Sequence, residues 1–165
     1  MPDLSLHGVF LAIFDRGVLL QGPSGCGKSE CALHLLDRGH QLIADDAPLF
    51  FRANDTVIGH SPVSLQNLLE VRGLGIIDVQ QLYGTKAIFL EKPLELIIEF
   101  TAFNSSDAQY ERVLQPKLES KIILEKAIPT LRLNSFCKHM AILVETAVRL
   151  AFSPVSPAIE RLLKT

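Results

Sequence analysis

The chain has 165 residues, 48% of them hydrophobic and 21% charged, with a formal net charge of -2 at pH 7. A chain of this size builds one core without a disulfide or metal staple, and its interspersed charges argue against a nucleic-acid or membrane-surface footprint, leaving a small molecule and a protein as the expected partners. Cys26, Cys31 and Cys137 are odd in number with no C-x-x-C pair, the start Met1-Pro2-Asp3 lacks a basic export region, and no apolar run could cross a bilayer, so a reduced, cytoplasmic setting is expected.

Val9 to Phe14 and Val18 to Gln21 read as short strands joined by a hairpin-like turn at Asp15-Arg16-Gly17. Directly after them, Gly22-Pro23-Ser24-Gly25-Cys26-Gly27-Lys28-Ser29 fits G-x-x-x-x-G-K-[ST], the phosphate-binding loop, between a strand and a helix as that motif requires. Its glycines let the backbone wrap a polyphosphate so that successive N–H groups and the helix start face negative charge. Lys28 is placed to reach the β- and γ-phosphates, and the Ser29 hydroxyl to meet a Mg²⁺ ion, which prefers a few protein oxygens plus phosphate and water. The loop therefore predicts ATP or a similar nucleotide together with Mg²⁺.

Lys28 to Arg38 reads as a helix with Cys31, Leu35 and Leu36 inward, stopped by Gly39 in a left-handed conformation. Gln41 to Ala44 is a short strand ending in Asp45-Asp46; Leu49 to Arg52 and Val57 to His60 are strands around Ala53-Asn54-Asp55. Ligands of open α/β sheets lie beyond the carboxyl ends of strands, so these two acids can face a γ-phosphate. Neighbouring residues of a strand point to opposite faces, which predicts one carboxylate toward the metal or nucleophile and the other toward a structural partner.

The stretch Glu70-Val71-Arg72-Gly73-Leu74-Gly75-Ile76-Ile77-Asp78 interrupts an apolar run with charges and glycines, a sign of close backbone approach or left-handed geometry. Glu70 can be a Mg²⁺ ligand and Arg72 a phosphate clamp, and a salt-bridged turn accounts for them equally well. Beyond it, Ala87 to Leu90, Leu94 to Phe100 and Lys121 to Leu124 are strand candidates, followed by a helix from about Phe136 to Phe152, a break at Ser153-Pro154-Val155-Ser156-Pro157, and a terminal helical stub. Strands outnumber helices and several neighbours read as antiparallel, so an α/β domain with a mixed sheet is expected.

The phosphate loop continued through Glu30-Cys31-Ala32-Leu33-His34-Leu35-Leu36-Asp37-Arg38-Gly39-His40 to Ala44-Asp45-Asp46, together with Glu70-Val71-Arg72-Gly73-Leu74-Gly75-Ile76-Ile77, closely resembles the catalytic domain of HPr kinase/phosphorylase over roughly residues 5 to 150. The resemblance implies an α/β, P-loop-containing mixed β-sheet flanked by helices, related to PEP carboxykinase-type P-loop folds. It implies an ATP- and Mg²⁺-dependent protein-serine kinase acting on HPr, the phosphocarrier of the sugar phosphotransferase system, or on a related carrier, able also to remove the phosphate with inorganic phosphate as acceptor, which would release pyrophosphate.

Residue by residue, Asp46 matches the family's catalytic acid/base and Asp45 its acidic neighbour. Lys28 matches the lysine that stabilises the transferring phosphoryl group, Ser29 and Glu70 match Mg²⁺ ligands, and His7 in Leu6-His7-Gly8-Val9 matches a histidine near the site. By residue chemistry alone His7 is a strand-edge residue with no role. Arg112 falls where the family carries an arginine on a mobile loop, with only the acid-arginine pair of that local pattern surviving in Tyr110-Glu111-Arg112-Val113. The family's habit also suggests a homo-oligomer, a hexamer.

Two departures shape the expectation. Members commonly carry an additional N-terminal domain; residues 1–165 are expected to form the single catalytic domain without it. Where the family shows a P-x-x-P-G-R-N-type segment linked to dephosphorylation, this chain has Asn134-Ser135-Phe136-Cys137-Lys138-His139-Met140, so the kinase direction is expected to dominate. Lys138 supplies charge there but not an arginine's bidentate fork. The alternatives are a small-molecule P-loop kinase and a nucleotide-binding regulatory module without transfer activity. The loop string also resembles that of transporter ATPases, which need a larger chain and an L-S-G-G-Q motif missing here.

Overall fold

The computed structural model describes residues 3–101, 118–134 and 138–164. The chain opens with β1 (Leu4–Ser5), β2 (Val9–Ile13) and β3 (Arg16–Gln21), then α1 (Lys28–Asp37) and β4 (Gln41–Ala44). β5 (Leu49–Ala53) and β6 (Thr56–His60) follow, then β7 (Leu68–Val71), β8 (Gly75–Asp78) and α2 (Val79–Tyr83). The long strand β9 (Glu91–Thr101), the pair β10 (Glu119–Ile123) and β11 (Lys126–Asn134), and helices α3 (Met140–Ala151) and α4 (Pro157–Leu163) complete it.

Among the described residues nine strands form one sheet in the order β1-β5-β6-β9-β3-β2-β4, with the β10–β11 hairpin joined through a parallel β11–β9 pair. The β3–β9 pair is also parallel and the remaining pairs in this sheet are antiparallel, so the sheet is mixed, as the sequence predicts. β7 and β8 form a separate two-stranded ribbon.

β2 is buried along all five residues and splits its side chains by the two-residue period of a strand. Val9, Leu11 and Ile13 enter a core shared with Leu35 and Leu36 of α1 and Val144 and Val148 of α3. Phe10 and Ala12 enter the core on the opposite face, with Ile43, Phe50, Val57 and Ile97. Burial on both faces explains why β2 reads as an unbroken apolar run.

Strand direction creates the functional edge. β3, β9 and β11 run parallel, and β4 and β3 are each antiparallel to the β2 between them, so the carboxyl ends at Gln21, Ala44, Thr101 and Asn134 lie along one edge of the sheet. The amino end of β2, with His7 and Gly8 just before it, arrives at the same edge.

Several expectations shift. The first hairpin turns at Phe14-Asp15, both left-handed with φ of 49° and 66°, one residue earlier than the spacing suggests. Ala87 to Leu90 is not a strand: a 3₁₀ turn covers Thr85–Ala87, and only an isolated parallel bridge, Leu42 to Ile88, joins the sheet. β9 instead begins at Glu91 and runs through Pro93, which pairs with Ile58 of β6. β11 escapes sequence reading because Pro129 interrupts it; its pairing with β9 starts only at Thr130, so the missing N–H falls outside that ladder. α3 begins at Met140 after a turn at Lys138-His139; Phe136 lies outside the described residues.

Candidate active site

α1 starts directly out of the loop, with Gly27 as its N-cap in the left-handed region at φ 93° and the Cys31 N–H bonding the Gly27 carbonyl at 2.9 Å. Gly25 is also left-handed, at φ 82°. Side chains rarely adopt that conformation, so glycine is what permits this tight curl ahead of a helix start. Of the eight motif residues, Ser24, Gly25, Gly27, Lys28 and Ser29 line a cleft of about 340 Å³. Gly22, Pro23 and Cys26 form the loop's back, where a Cβ on Gly22 would lie 2.9 Å from the Phe100 carbonyl oxygen.

The rest of the cleft wall comes from four other places: His7, Gly8 and Val9 before and in β2, Glu30 in α1, Asp45 and Asp46 after β4, and Glu70 and Arg72 at β7 and its turn. The Lys28 ammonium lies over the loop, donating to the Gly22 carbonyl at 2.6 Å and the Pro23 carbonyl at 3.2 Å. Arg72 leans onto the same loop: a Cβ on Gly25 would sit 3.5 Å from its guanidinium. Gly73 and Gly75, at φ 89° and 90° with open space around them, carry the β7–β8 turn, so the left-handed reading of this stretch holds and the close-approach reading does not.

The two acids have different surroundings, and the difference arises past the strand end rather than by strand alternation. Asp45 is tied down: its carboxylate accepts the Asp46 N–H at 2.9 Å and the Glu70 N–H at 2.8 Å. Burial pushes its carboxyl above the usual range, partly opposed by those two hydrogen bonds. Asp46 is open, with its side chain 69% exposed and its Oδ1 3.9 Å from His7 Nδ1. Asp46 and Ala47 are both left-handed, at φ 51° and 54°. Successive non-glycine residues in that region are strained and held there by their surroundings.

The oxygen donors fit a hard cation that shares its shell with a nucleotide. Ser29, Asp46 and Glu70 offer a hydroxyl and carboxylates in one cleft. Among the described residues no group of three or more His, Cys, Asp or Glu side chains forms a metal cage. That donor set is what Mg²⁺ uses when phosphates supply further oxygens, rather than a dedicated all-protein cage.

Sequence reasoning thus finds Lys28, Ser29, Asp45, Asp46, Glu70 and His7, and the structure brings all six to one cleft. Arg112 lies outside the described residues. Gly8, Val9 and Glu30 also line the cleft; the Gly8 contact joins segments separated in sequence and leaves no local signal.

Among the described residues no helix is long and apolar enough to cross a membrane. Comparison with known proteins agrees with this architecture. Residues 1–154 match the HPr Serine kinase C-terminal domain. Proteins named HPr kinase/phosphorylase from Xanthomonas campestris pv. campestris (strain B100) and Xanthomonas oryzae pv. oryzae (strain PXO99A) are each 43% identical over 153 residues, covering 90% of this chain and 48% of theirs. The chain therefore spans about half the length of the curated relatives it matches. The solved structure of the Hpr(Ser) kinase/phosphatase from Coxiella burnetii superimposes with a TM-score of 0.81 at 33% identity, covering 88% of this chain and 94% of that one. A mixed sheet carrying a phosphate loop, the acid pair after β4 and these matches agree: the chain belongs to the HPr serine kinase C-terminal domain family.

Proposed function

We propose that this chain is an ATP- and Mg²⁺-dependent protein-serine kinase acting on HPr or a related phosphocarrier. The observation that carries this reading is the open Asp46 carboxylate sharing one cleft with Lys28 and Ser29 of the phosphate loop. A loop and helix start alone can hold a nucleotide; transfer needs a base beside the phosphate to receive the acceptor's proton.

In the forward direction Asp46 takes the proton from the serine hydroxyl. The serine oxygen then forms a bond to the γ-phosphorus as the bond from that phosphorus to the β–γ bridging oxygen breaks, leaving ADP. Lys28 exchanges its loop carbonyls for phosphate oxygens and neutralises the charge on the transferring group. Ser29 and Glu70 would hold Mg²⁺, which would supply Lewis-acid neutralisation of the phosphate oxygens. Arg72, leaning on the loop at Gly25, adds a second cation. In reverse, Asp46 returns a proton to the leaving serine while inorganic phosphate accepts the phosphoryl group, giving pyrophosphate. The sequence around Lys138 favours the forward direction.

The reading extends to a cytoplasmic homo-oligomer, a hexamer by family resemblance. An apolar groove of about 860 Å³ between β11, α3 and α4, lined by Leu131, Leu143, Leu150 and Val155, supports association.

The test is transfer from γ-labelled ATP with Mg²⁺ to purified HPr and to a copy whose regulatory serine is alanine. Label on the first alone supports the reading. Label on neither, with ATP still bound, moves the assignment to another acceptor or to a nucleotide sensor.

A further inference from the structure

His7 is brought to Asp46 from outside any long element, between β1 and β2, and two contacts fix its backbone. Gly8 presses onto the end of β3 so closely that a Cβ there would stand 2.5 Å from the Leu20 carbonyl oxygen, at a φ of 148°. Beside it, the Gln21 side-chain amide donates to the His7 carbonyl at 3.1 Å.

The orientation of that amide is set from the other side. Lys121 of β10 donates to Gln21 Oε1 at 3.4 Å and is ion-paired with Glu99, the cross-strand partner of Gln21 in the β3–β9 pair. An ammonium only donates and a carbonyl only accepts, so the amide has one consistent placement: oxygen toward Lys121, NH₂ toward His7. Glu99 is held in turn by Arg132 of β11 at 3.3 Å, and Arg132 lies 3.5 Å from Glu119.

We propose that Gln21, oriented by Lys121, is a positioning residue that holds His7 against Asp46, coupling the β10–β11 hairpin to the candidate base. Neither side chain lines the cleft. Their effect is on the placement of a pair whose atoms are 3.9 Å apart and whose side chains are about 70% exposed, where little else restrains the imidazole. This inference rests on the proposed kinase reading for its consequence in rate, but not for the geometry itself.

The experiment compares the wild-type chain with Gln21→Leu, Lys121→Met and Lys121→Arg. Gln21 adjoins the phosphate loop, so Lys121→Met is the decisive variant: it lies on another strand and leaves Glu99 paired with Arg132. Two readouts are taken, steady-state transfer from ATP to HPr and the side-chain NMR resonance of His7. Expected are a fall of about tenfold in kcat for both removals with KM for ATP within about twofold, and recovery in Lys121→Arg, which keeps a donor. The His7 resonance moves in Gln21→Leu and Lys121→Met while that of His34 stays in place. An unmoved His7 resonance in both variants overturns the proposal, as does a rate loss that appears only as a raised KM. A wild-type chain that transfers nothing removes the kinase reading, and the His7 resonance then still decides the positioning.

Discussion

The Asp45 carboxylate ties the end of β4 to β7, ahead of the glycine-bearing turn, accepting the Glu70 N–H at 2.8 Å across 25 residues of sequence. The same carboxylate accepts the N–H of Asp46, so one side chain sets the place of both the candidate base and the candidate metal ligand.

Asp45→Ala is therefore expected to lower both stability and transfer. Losing the acceptor strands two N–H groups, at roughly 1–3 kcal/mol for each that stays dry. Thermal melting and kcat should fall together, and a variant with native melting and native rate would show that the tie is idle.

Asp46→Asn keeps the shape and removes the base. A loss of roughly hundredfold or more in transfer is expected, with MgATP affinity by calorimetry within a few-fold of wild type. Retained transfer would remove Asp46 from the chemistry.

Glu145 of α3 clamps the end of α1, accepting from Arg38 Nε and facing His40 Nε2, both at 2.7 Å. Burial raises its carboxyl, but the hydrogen bonds and charges of His40 and Arg38 outweigh that and hold it below its ordinary value of 4.5. The unfolded chain then binds this proton more tightly than the folded one, so the clamp stabilises fully above 4.5 and is lost as pH falls through the folded value. Glu145→Gln should lower stability near neutral pH by roughly 3 kcal/mol and flatten the acid limb of a pH–melting curve; an unchanged limb would assign acid sensitivity elsewhere.

The two described cysteines should differ in reactivity. Burial, and the nearby Cys26 sulfur, push the Cys31 thiol up to about 12, leaving almost no thiolate at neutral pH. Cys26 is half-buried, with its sulfur 3.8 Å from Lys28 Nζ. Iodoacetamide followed by peptide mass spectrometry should label Cys26 and spare Cys31, with MgATP slowing the reaction. Comparable labelling of both would contradict the burial argument.

Legibility tracks locality. The loop, α1 and the acids after β4 are readable because their chemistry lies in consecutive residues: glycine spacing, a helical apolar face, a strand that ends in charge. The division of labour between Asp45 and Asp46 is half legible, since alternation predicts two destinations but not the left-handed backbone that produces them. β11 is hidden by Pro129, whose tolerance depends on where a partner some thirty residues earlier stops pairing. The support of His7 by Gln21 and Lys121 joins two strands to the segment between β1 and β2 and has no signature in any one of them.

The left-handed pair Asp46-Ala47 makes the site a place where fitness for folding and fitness for chemistry pull apart. Each such residue costs on the order of 1 kcal/mol, a standing debit that a glycine at position 47 would relieve. Such a substitution should raise the melting temperature while loosening the carboxylate, so selection for robustness alone would erode this corner.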